Sequence, residues 1–284
     1  MTSQGHDQRN VYTAMDMFAK AKEKTIARYD KICDNTEVLS NDKIIDVIFD
    51  TRSDNLRRQI LGPMGREEFN RKFESGTSIF KGHVQDGLDS DLIKIFLQKS
   101  FPETYFHPQI ALVLVGSGKL TVGKAATKRI TETGMIILAA LESLPMMLAI
   151  GTSHAMRTVA GKAEYNEDTV EFTLLTFSYF GAKKCKIKED DWFFYWKVFG
   201  SLMGLPPTRL HSSYDQAGQR MKELHKQCPE TPDQNSAKLL DTFIQCFLET
   251  EDDVRQAYQA DCISKRLRAY LKSKKRWPLD LPQH

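Results

Sequence analysis

The chain has 284 residues, 41% hydrophobic and 27% charged. That is ordinary for a folded globular protein with a sizeable core, and it excludes a chain disordered throughout. Against 37 acidic residues stand 40 basic ones, and a net charge of +3 is too even for a general nucleic-acid binder.

The first residues, "MTSQGHDQRN", are polar and contain no apolar stretch of the secretory kind. The segment 11–32 then repeats Met15, Phe18, Ala19 and Ile26 at helical spacing, and 41–61 opens on an Asn suited to cap a helix. "GREEFNRKFESGTSIFKGH" reads as a helix closed by Gly76. "SDLIKIFLQKSF" reads as a short helix ended by Pro102 and Pro108. Residues 110–115 are apolar and β-rich, so a minor strand is expected there, although so short a run fits a helix as well. From Lys119 the pattern is helical. Asn166 is placed to cap "EDTVEFTLLTFSYFGA". Acidic residues precede "WFFYWKVFGSLMGL", where they complement the positive end of a helix, and Pro206-Pro207 stops it. The remainder is helical to the basic segment at 264–276, which reads as a solvated face. Residues 228–236 read as a loop within one fold. The expectation is one all-α domain over residues 1–284.

The longest apolar run, 135–150, is broken by Glu142, Ser143 and Pro145 and is too short to span a bilayer. The 5 cysteines contain no C-x-x-C pair, which points to reduced thiols in a cytoplasmic protein. The fingerprints of dinucleotide, Walker-type, zincin and serine-hydrolase sites are all missing. "GSGKLTVGK" lacks the hydroxyl residue that follows lysine in a phosphate loop.

Two clusters stand out. In "LPMMLAIGTSHAMRTVAG", His154 follows an apolar helical run, with Arg157 three residues on. A lone helical imidazole facing an apolar cavity is what a haem iron takes as axial ligand; a core histidine bonded to a backbone carbonyl gives the same pattern. In "AATKRITETGMIIL", Arg129, Glu132 and Thr133 share one helical face among small and apolar neighbours. Such a face suits a polar group of a ligand in an apolar pocket, or an ordinary surface ion pair.

Three stretches in order resemble the rubber-oxygenase catalytic-domain family, which includes the latex-clearing proteins. They are "VLVGSGKLTVGKAATKRITETGMIIL", with its Ala-x-x-x-Arg-x-x-x-Thr pattern, "SHAMRTVAG", and "FTLLTFSYFGAKKCKIKEDDWFFYWKVFGSLMGLPPTRLHSSYDQA". They lie within about residues 110–220. The resemblance implies an all-helical, globin-like protein holding b-type haem through one histidine and cleaving an isoprenoid double bond with O2. It places the iron ligand at His154 and the distal pair at Arg129 and Thr133. Arg157, one turn past His154, would meet a haem propionate. Glu132 stands where latex-clearing proteins carry lysine, and would pair with Arg129 or act as a base. The implied partners are an apolar substrate and O2. Two other classes fit the same residues: a haem-binding sensor or carrier without turnover, and a haem-free helical lipid-binding or interaction protein.

Overall fold

Aromatic residues at helical spacing build the core, and small residues decide how closely the helices approach. The computed structural model describes residues 64–86, 90–116, 123–142 and 166–282, with Leu144, Met146, Met147, Ile150 and Gly151 between them. The helices expected at 11–32 and 41–61 lie outside the described residues. Those described are all-α, with no strand.

In chain order the helices are α1 (Arg66–Val84), α2 (Asp91–Ile95), a π turn (Phe96–Ser100), α3 (Phe101–Thr104), α4 (Pro108–Gly116) and α5 (Gly123–Ala140). After the 144–151 segment come α6 (Glu167–Cys185), α7 (Asp190–Leu202), a 3₁₀ turn (Pro207–Arg209), α8 (Tyr214–Gln227), α9 (Gln234–Phe247), α10 (Glu251–Gln259) and α11 (Lys265–Ser273). Helix α7 packs most closely on α1. Helix α6 lies against α2, α7 and α8, and α9 covers α4 and α5.

Polar caps start the later helices. The Asn166 side chain accepts from the Thr169 N–H at 3.0 Å, as its position in the sequence suggests. Asp233, Thr250 and Ser264 cap α9, α10 and α11, and Thr250 forms a full capping box with Asp253. Each such cap contributes about 1 kcal/mol.

Four sequence expectations are corrected. Residues 110–115 form the body of α4, not a strand. Pro108 is the first residue of that helix, where its fixed φ fits and its missing N–H costs nothing, and Ile110 and Ala111 are buried. Pro102 does not end the preceding helix. The Phe101 N–H bonds the Phe96 carbonyl five residues back, and this widened turn carries the chain through the proline. Gly76 does not close α1, which continues to Val84. Finally, α7 stops before Pro206-Pro207. Gly204 takes φ 93°, and the Leu205 N–H reaches the Gly200 carbonyl at 3.0 Å, a glycine-terminated cap.

Gly76 is where α1 meets α7. A Cβ there would stand 2.7 Å from both the Asp191 carbonyl oxygen and Tyr195 Cβ. Around this contact Phe69 and Phe73 meet Phe194 and Tyr195, with ring centroids 5.6 and 5.0 Å apart. The Tyr195 hydroxyl donates to the Leu141 carbonyl just past the end of α5. In an open helix, Gly→Ala stabilises by up to about 1 kcal/mol. Gly76→Ala is expected to reverse that sign and destabilise by about 1–3 kcal/mol through overpacking. Urea unfolding checks this as a lowered midpoint at unchanged slope.

Candidate functional site

Helix α5 carries the first group of sequence-predicted residues. Its core stripe is Ala126, Ile130, Gly134, Met135 and Leu138, all buried. Gly134 lets the helix settle on the α2–α3 segment: a Cβ there would be 3.1 Å from Leu97 and 3.3 Å from Phe101. Beside that stripe runs a flank of Thr133, Ile136 and Ile137, all half-buried. Arg129 is helical and one turn before Thr133, so its backbone shares this flank; its side chain lies outside the described residues. Glu132 is half-exposed, with Oε1 3.9 Å from Lys128 Nζ in an i,i+4 pair.

The run leading to His154 is described up to Gly151. Leu144, Met146, Met147 and Ile150 are buried in the common core, in line with the apolar pattern. Gly151 presses on the end of α7, where a Cβ would lie 2.7 Å from Leu202 Cβ. His154 and Arg157 themselves lie outside the described residues. The α5 flank offers two isoleucines and a hydroxyl, an apolar wall with a polar group of the kind a haem face takes. Gly151 anchors the chain three residues before the candidate ligand. Among the described residues no group of three His, Cys, Asp or Glu side chains is arranged to hold a metal ion.

Phe177, Phe180, Trp192 and Trp196 are buried and belong to the core. Phe177 packs edge-on against Phe96 and Phe101 at 5.1 Å each. The Trp192 indole donates to the Ser178 carbonyl at 3.0 Å.

The structure also shows a charged centre that sequence reasoning missed. Glu171, one turn into α6, is 1% exposed. Its carboxylate accepts from Arg220 Nε at 2.7 Å, Arg220 Nη2 at 3.0 Å and Arg209 Nη1 at 2.9 Å. His211 Nε2 lies 3.2 Å from the same carboxylate. Arg209 extends the network to Asp168, and to Glu167 at 3.1 Å. Burial alone would push the Glu171 pKa up. The bonds from His211 and Arg220, the Arg220 charge and the Arg209 bond outweigh it and hold the pKa at about 2. The partners come from the 3₁₀ turn, the loop after it and α8, between 38 and 49 residues away, so no local spacing joins them. The available sign was an acid between Val170 and Phe172, with two arginines and a histidine following the double proline.

A second buried carboxylate, Glu103, lies 3.0 Å from His225 Nε2, an ion-pair distance without hydrogen-bond alignment. This pair joins α3 to α8.

Comparison of the chain with protein-family models, with curated proteins and with solved structures finds no match in any of the three.

The Glu171 centre gives a pH prediction. A carboxyl whose pKa falls from 4.5 to about 2 on folding stabilises the fold above pH 4.5, and that contribution is lost as pH falls toward 2. It amounts to about 3 kcal/mol. Urea unfolding of wild type is expected to weaken steeply over this window. Glu171→Gln should be destabilised by about 3–5 kcal/mol at pH 7, because two guanidinium groups lose their shared counter-charge, and should show a shallower acid slope.

Proposed function

We propose that the protein is a b-type haem-dependent oxygenase acting on an apolar substrate, with oxidative cleavage of an isoprenoid or other alkene double bond by O2 as the reaction. The observation that supports this reading is that the first and third stretches resembling the rubber-oxygenase family are linked through one core, to which the residues leading toward the second also belong. Tyr195 of the third stretch bonds the Leu141 carbonyl that follows the first. Gly151, which leads into the second, rests on Leu202 of the third. Gly134 of the first rests on Phe101, which meets Phe177 of the third. Gly151, the last described residue before His154, therefore belongs to the same core as the α5 stretch.

In this reading His154 holds the iron and Arg157 pairs with a propionate. Haem supplies the redox-active centre at which O2 reacts. The chain's own residues supply the rest. Ile136 and Ile137 keep water from the α5 flank. The Thr133 hydroxyl and the Arg129 guanidinium donate hydrogen bonds where negative charge develops on oxygen. Glu132, paired with Lys128, sets the charge at the rim of that flank. An apolar surround selects an apolar substrate.

His154→Ala is expected to purify without haem while keeping its helical circular dichroism. Arg129→Ala is expected to keep haem but consume oxygen about 10²-fold more slowly in the presence of a dispersed isoprenoid alkene. Haem retained by His154→Ala would overturn the ligand assignment. Wild type that binds haem but consumes no oxygen with any alkene would make the protein a carrier or sensor instead.

A further inference from the structure

We draw no further inference here: the strongest candidate, the buried cluster of Glu103, His225 and Arg266 where α3, α8 and α11 meet, belongs to the helix-joining pair already described, and nothing in the structure shows a ligand or partner that reaches it.

Discussion

The close approach of α1 and α7 at Gly76 is the constraint on which the rest depends. With no side chain at Gly76, Tyr195 packs directly on the α1 backbone, with its Cβ only 2.7 Å from where an alanine methyl would stand. Its ring then packs on Phe73, and its hydroxyl reaches the Leu141 carbonyl. One residue thus joins α1, α7 and the end of α5. Burial raises the pKa of that hydroxyl, so it remains a protonated donor across the physiological range. Beyond Leu141, Leu144, Met146, Met147 and Ile150 are buried, and Gly151 meets α7 at Leu202. The position of the segment leading to His154 follows from this chain of contacts.

Charge is handled separately from that apolar frame. Glu171 is taken out of water only because two arginines and a histidine converge on it from the 3₁₀ turn, the loop after it and α8. A buried carboxylate with this many donors is costly to break and weak as a net source of stability, so its effect is mainly to fix one arrangement of α6, α8 and the turn between them.

Local signals were legible in the sequence, and long-range ones were not. Asn166 as a cap and the helices after residue 213 depend on neighbours within a turn, and the structure has them as read. Gly76 was misread as a helix end because its reason, Tyr195, lies far along the chain. Residues 110–115 were ambiguous because an apolar run carries no period, and Pro108 at the helix start together with the α9 contact decides them. Pro102 was misread because a π turn is not visible in composition. Of the candidate haem residues, His154, Arg157 and the Arg129 side chain lie outside the described residues, and Gly134 decides only how closely α5 meets the α2–α3 segment. The Glu171 centre was invisible because its members are charged residues of ordinary appearance that meet only in the fold.

The most direct test of the haem reading is the absorption spectrum of the purified full-length protein mixed with one equivalent of haemin, taken oxidised, reduced with dithionite, and reduced under carbon monoxide. The account predicts a protein-bound Soret band that shifts on reduction and shifts again with carbon monoxide, as for iron held by one histidine with an open sixth position. A spectrum that stays that of free haemin, with all haemin removed by gel filtration, would contradict it.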